Sequence, residues 1–234
     1  MNVPADQLDI YDLSLRKSGE ELCGDKVKIF STPSKTIVVL SDGLGSGVKA
    51  NILATLTSEI IVRMLSENIP LKDVLDTIIL TLPVCKIRKI AYATFTIIDI
   101  NRLTNKFQIV NFDNPKVFFL RNRKMVKFER VFRDFNGRKI AMFEGKLEKG
   151  DFIGAASDGV LYAGLGKTMN FGWGWDNIAE FIEKFFDTHR NSITAQDVAY
   201  NLIAKIHSLY GDEIGDDATF VGILSRAKNS AIIF

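Results

Sequence analysis

The chain has 234 residues, enough for one full-sized hydrophobic core and short for two. Apolar residues make up 47% and charged ones 25%, which excludes a disordered or fibrous polymer. Lys and Arg total 30 against 28 Asp and Glu, and a net charge of +2 gives no overall field to recruit nucleic acid or a membrane surface.

The opening residues MNVPADQLDIYDL lack the basic start and apolar core of a secretory signal, and no apolar run reaches membrane-spanning length. Cys23 and Cys85 stand far apart and outside any C-x-x-C pair, so neither a disulfide framework nor a cysteine metal site is indicated. Together these features point to a cytoplasmic protein with neither a nucleic-acid nor a membrane partner.

LDIYDLSLRK, VKIF and TIVVL, divided by a TPSK turn, read as three strands between residues 8 and 40. After Gly47, the residues Ile52, Leu56, Ile60 and Met64 recur at helical spacing, and Pro70 stops that helix. A second helix through LKDVLDTIILTL starts behind Pro70 and ends by Pro83. From Ala91 to about Glu148 strands return: AYATFTIIDI, KFQIVNF, KVFFLRN, KMVKFERV and a stretch around IAMFEG, with Asn136-Gly137 as a hairpin signal. The basic stretch Arg121–Lys139 alternates charge with Phe, Val and Met, which reads as the solvated face of a hairpin more than as a polyanion site.

GDFIGAAS is a further strand leading into SDGV. WDNIAEFIEKFF and TAQDVAYNLIAKIHSLY read as amphipathic helices, the second capped by Thr194, and ATFVGIL closes as a buried strand. Strands and helices come in blocks, which is the pattern of an α+β layered fold and not of a parallel doubly wound one. One domain over residues 1–226 is expected. Residues 227–234, a polar break and then AIIF, read as an edge strand or as the start of a further segment.

Chemistry concentrates in four acidic motifs at predicted strand ends: Gly24-Asp25, Asp42-Gly43-Leu44-Gly45-Ser46-Gly47, Ser157-Asp158-Gly159, and Gly215-Asp216-Asp217-Ala218-Thr219. Carboxylates are the hard oxygen ligands that Mg²⁺ and Mn²⁺ prefer, and glycine lets the backbone approach closely and leaves a carbonyl free to coordinate. A single Asp-Gly pair carries little weight because it is also a common turn dipeptide. SDGLGSGVKA, SDGV and GDDATFVGI, preceded by GEELCGD, resemble the SpoIIE-type branch of the metal-dependent (PPM) serine/threonine protein phosphatases, from about Leu8 to Leu224.

The resemblance implies a four-layer αββα sandwich with two mainly antiparallel central sheets. It further implies two divalent ions, Mn²⁺ or Mg²⁺, held by Asp25, Asp42, the carbonyl of Gly43, Asp158 and Asp216. Asp42 would bridge the ions, and Asp217 would orient the ligands. The implied reaction is hydrolysis of phosphoserine or phosphothreonine by water activated on the two ions. The implied substrate is a regulatory phosphoprotein such as an anti-sigma-factor antagonist. Two departures matter: only Pro115 remains where the family carries a proline-containing turn, and Leu44 cannot donate a proton to the leaving oxygen.

Other readings compete. Gly43–Lys49 fails the dinucleotide pattern, because Val48 replaces the third glycine, and it lacks a phosphate-loop Gly-Lys-Ser/Thr. Asp134-Phe135-Asn136-Gly137 reads as a turn, and His189 and His207 as structural or surface residues. Trp173 and Trp175 serve either as a substrate lip or in packing, and Cys23 either in redox chemistry or as a small buried residue. A catalytically silent binding module of the same fold, or a two-metal phosphoesterase acting on nucleotides or small molecules, stand as alternative functions. The apolar faces of the helices between residues 48 and 82 would serve a homodimer as easily as the core.

Overall fold

The computed structural model describes residues 7–81, 93–128, 130–189 and 193–226. The sequence readings at Pro83, Cys85 and the 227–234 tail lie outside the described residues.

The strands are β1 (Gln7–Leu15), β2 (Asp25–Ser31), β3 (Lys35–Gly43), β4 (Ala93–Asn101), β5 (Lys106–Phe112), β6 (Phe118–Arg121), β7 (Lys124–Met125), β8 (Val131–Phe135), β9 (Arg138–Lys146), β10 (Phe152–Ala156) and β11 (Ala218–Arg226). The helices are α1 (Gly47–Ser66), α2 (Leu71–Thr81), the single turn α3 (Asp158–Leu161), α4 (Trp175–Thr188) and α5 (Ala195–Tyr210). One sheet runs β1-β11-β10-β6-β7 and the other β2-β3-β4-β5-β9-β8. Their strand pairings are antiparallel.

The central strands are apolar on both faces because each face meets a different layer. On β3, Val38 and Leu40 point between the sheets, while Ile37 and Val39 meet α1 and α2. On β11, Val221 and Ile223 point between the sheets, while Phe220 and Leu224 meet α4 and α5. Three cores stacked in this way define the four-layer αββα sandwich, an α+β architecture as expected.

Local chemistry accounts for the element ends. Thr194 accepts from the backbone N–H of Asp197 at 2.9 Å, and the Asp197 carboxylate accepts from Thr194 N–H at 2.8 Å, a closed capping box that starts α5. Asn136 and Gly137 both take positive φ, 51° and 77°, and turn β8 back into β9.

Two expectations need correction. The stripe that identifies α1 in the sequence is buried only in its second half, where Ile60 and Met64 pack half-buried against the core. Ile52 and Leu56 are about half exposed, and the buried face is Ala50, Ala54, Thr57, Ser58, Ile61, Val62 and Leu65. Small residues take the contact because the helix lies close against β2 and β3. KMVKFERV, read as one strand, gives only the two-residue β7. The chain then leaves the sheet, and β8 forms on the opposite sheet with mostly exposed side chains.

Candidate active site

The antiparallel ladder itself brings the first two acidic motifs together. Asp25 opens β2, Asp42 lies near the end of β3, and the two are register partners. Gly43 N–H donates to the carbonyl of Gly24 at 3.1 Å, which locks the two strand ends. The other sheet brings in the remaining motifs. Ser157 N–H donates to the Thr219 carbonyl, and Thr219 N–H donates to Ser157 Oγ, both at 2.9 Å, so Asp158 and Asp216 flank one junction. Asp25, Asp42, Gly43, Asp158, Asp216 and Asp217 thus line one cleft of about 300 Å³ between the sheet ends.

The glycines beside two of these aspartates have a packing reason. A Cβ on Gly43 would stand 2.0 Å from the carbonyl oxygen of Ala50, in the first turn of α1. One on Gly159 would stand 2.0 Å from the carbonyl oxygen of Asp217. Asp-Gly here is therefore a carboxylate held where two pieces of backbone touch, which a turn dipeptide alone would not require.

Asp217 ties the cleft's rim together. It is 4% exposed, and its carboxylate accepts the backbone N–H of Lys17 at 2.9 Å and that of Gly24 at 2.8 Å. It therefore fixes the segment that presents Asp25, while its own N–H donates to Asp216 Oδ1 at 3.0 Å. Tyr210 reaches up from α5 and donates its hydroxyl to the Gly159 carbonyl at 2.7 Å, holding the Asp158 turn from below.

Electrostatics in the cleft are adverse to negative charge. Burial, and then Asp25, Asp158 and Asp216, push the Asp42 carboxyl up to about 9. Burial also lifts Asp25 to about 7, against the opposing hydroxyls of Ser157 and Thr219. Asp158 and Asp216 are raised, first by burial. Burial and the clustered carboxylates thus disfavour the ionised forms of Asp42 and Asp158 together. Asp25 Oδ2 is buried with no hydrogen-bond partner, an acceptor oxygen that a cation would satisfy. Among the described residues, no three acidic, His or Cys side chains close on a single ready-formed ion position.

The sequence reading did not single out Thr94, Asp113 and Asn114, which also line the cleft. Thr94 donates to Asn114 Oδ1 at 2.6 Å, and Asp113 sits at φ 53° on the turn after β5. The Asp-Asn-Pro cluster behind a strand was the available signal, and its turn chemistry masked its position. Of the residues left open, Trp173 is buried in packing, and Trp175 is half-buried and stacks on Phe118. His189 caps α4, and His207 is exposed. Burial pushes the Cys23 thiol up to about 12, which removes the thiolate that redox chemistry needs.

The fold and the cleft define a protein of the PP2C phosphatase architecture. The sequence matches the family described as Stage II sporulation protein E (SpoIIE) over residues 32–224, and the chain belongs to that family. The match begins after Asp25, so the first motif's place in the site comes from the β2–β3 ladder. A search of curated proteins returns no match.

Among solved structures, the chain resembles the PP2C phosphatase domain and regulatory-domain fragment of the cell fate determinant SpoIIE from Bacillus subtilis. The TM-score is 0.76 at 18% identity, covering 95% of this chain and 64% of that one. It also resembles the RsbU and RsbW domains of Rv1364c from Mycobacterium tuberculosis, with TM-score 0.74 at 16% identity, covering 95% and 61%. A third likeness is to RsbX in complex with magnesium, with TM-score 0.66 at 18% identity, covering 93% and 96%. The chain thus spans less than two thirds of the first and second of these relatives. Among the described residues, no helix is long and apolar enough to cross a membrane.

Proposed function

We propose that the chain is a metal-dependent serine/threonine protein phosphatase that hydrolyses phosphoserine or phosphothreonine on a regulatory phosphoprotein, of the anti-sigma-factor-antagonist kind. The observation that carries this reading is the single cleft in which Asp25, Asp42, Gly43, Asp158 and Asp216 meet, with a buried Asp25 oxygen lacking a partner. Asp25, Asp42 and the Gly43 carbonyl would hold one divalent ion, and Asp42, Asp158 and Asp216 the other. Mg²⁺ or Mn²⁺ is the natural choice for an all-oxygen donor set. When bound, the pair supplies charge neutralisation of the phosphoryl group and activation of water at neutral pH.

The chain's own residues do the positioning. Asp42 sits between the two sheet ends and can serve both sides, and burial, then its neighbours' charges, disfavour its bare carboxylate, which a cation would relieve. Asp217 holds the Asp25 segment, and Tyr210 holds the Asp158 turn. Leu44 also lines the cleft and offers no proton, so the leaving oxygen takes its proton from water. Cys23 is a free thiol, which fits a reducing, cytoplasmic location.

The test is phosphate release from a phosphoserine protein, and from nucleotides in parallel, with Mn²⁺ or Mg²⁺ added and then chelated. Asp42→Ala and Asp158→Ala should each abolish release while leaving the fold intact. Near wild-type turnover of either variant in excess Mn²⁺ would refute the metal assignment. Preference for nucleotides would refute the protein substrate.

A further inference from the structure

A second cavity, of about 290 Å³, lies between the sheets at their β6–β9 edge. It exists because the two sheets are unequal. Beside β5 and β9, the facing sheet ends in the four-residue β6 and the two-residue β7. The inner face of β5 and β9 therefore runs on past its cover. Ile109 and Asn111 on β5, in register with Phe143 and Ala141 on β9, form the floor.

Val117, Val126, Phe128 and Trp175 wall it, with Phe128 stacked on Phe143 at 3.7 Å between ring centroids. Apolar and aromatic side chains thus stay half exposed around a concave space, where a fully closed fold would bury them. The rim is cationic: among the described residues lining it, Lys116, Lys127 and Arg130 stand against one carboxylate, Asp176. All three cations are exposed and, among the described residues, no carboxylate pairs with Lys116 or Lys127.

We propose that this cavity binds a small organic anion with an aromatic body, the ring against Phe128, Phe143 and Trp175 and the anionic head at Lys116 and Lys127. Its volume lies at the lower end of small-molecule sites, and an apolar lining with a few convergent polar groups is what such sites use. A neutral aromatic molecule would gain only the floor; an anion gains the rim as well, at a mouth where field lines concentrate.

The cavity and the acidic cleft share a stretch of backbone. Trp175 Nε1 donates to the Lys116 carbonyl at 2.9 Å, and Asn111 donates to the Pro115 carbonyl at 2.8 Å. Asn111 and Asn114 both donate to Thr96 Oγ1, at 3.1 and 3.2 Å, and Asn114 lines the cleft. The loop from Asn111 to Val117 is thus one wall of both spaces.

The experiment uses naphthoate as the probe, with the neutral naphthalene-methanol as its isostere, measured on the intact chain by calorimetry and by tryptophan fluorescence. Naphthoate should bind at one saturable site, roughly tenfold or more tighter than the neutral isostere, and weaken as salt is raised. Lys116→Glu with Lys127→Glu changes only exposed side chains, and should remove that advantage without altering the melting temperature. Val126→Trp should fill the space and abolish binding, and Trp175→Phe should abolish the fluorescence change while keeping the stack on Phe118. Equal affinity for the neutral isostere, indifference to the charge reversal, unchanged binding in Val126→Trp, or no saturable binding would overturn the proposal. None of these readouts depends on turnover.

Discussion

Asp217→Ala is the most informative single change. The variant removes one carboxylate but leaves two backbone donors without an acceptor, Gly24 N–H in a buried position and Lys17 N–H in a partly buried one. An unmet buried donor costs about 1–3 kcal/mol, and the Lys17 group recovers part of that from water. Against this stands relief of repulsion, because Asp217 adds to the upward pressure on Asp25 and Asp216. The net expectation is a loss of about 2–3 kcal/mol, or roughly 4–12 °C in melting temperature for a domain of this size. Calorimetric melts in chelator measure it free of metal effects. Asp217→Asn relieves the same repulsion and keeps one carbonyl oxygen for one of the two donors, so its loss should be about half that of the alanine variant. Because the freed segment presents Asp25, Mn²⁺ affinity by titration should fall about 10–100-fold. An alanine variant within about 0.5 kcal/mol of the parent, with unchanged Mn²⁺ affinity, would show that the Lys17–Gly24 segment is held by other contacts.

Two further outcomes test the electrostatics and the packing. Burial and neighbouring charge raise Asp42 from the ordinary 3.8 to about 9 and Asp25 to about 7, so the stability their protons lend is complete below about pH 4 and is lost as pH rises through those values. The melting temperature in chelator should therefore fall from pH 5 to pH 8, and Asp42→Asn should flatten that fall by up to about 1.4 kcal/mol per pH unit, parallel curves being the contrary result. Gly159→Ala sets a Cβ against the Asp217 carbonyl, where no side-chain rotation relieves the contact, and should cost about 3 kcal/mol or more. Gly166→Ala, at φ 69° with nothing within 4 Å, should cost only about 1 kcal/mol, and equal losses would refute the steric account.

The acidic motifs were legible because each sits at a strand end marked by glycine, and a ladder has only one register that buries β3 correctly. That register placed Asp25 beside Asp42. Less legible was which face of α1 is buried. Periodicity finds the apolar stripe Ile52, Leu56, Ile60 and Met64, whose first half stays exposed because close packing selected Ala50 and Ala54. Asp113 and Asn114 escaped because a turn signal says where the chain bends and not what the bend overlooks. The strand expected over residues 124–131 split because its alternating pattern suits either sheet, and its two ends joined different ones.

The place of β11 has a consequence for how the chain is made. It is the middle partner of β1 and β10, and it follows directly on Asp216 and Asp217. Thr219 Oγ1 meets Ser14 across 205 residues of sequence. Closing so long a loop is slow, and strand pairings of this range govern folding rate. On the ribosome, β1 waits for a neighbour that is synthesised after nearly everything else described. The carboxylates of the final motif arrive with it, so the acidic cleft is complete only once that sheet is closed.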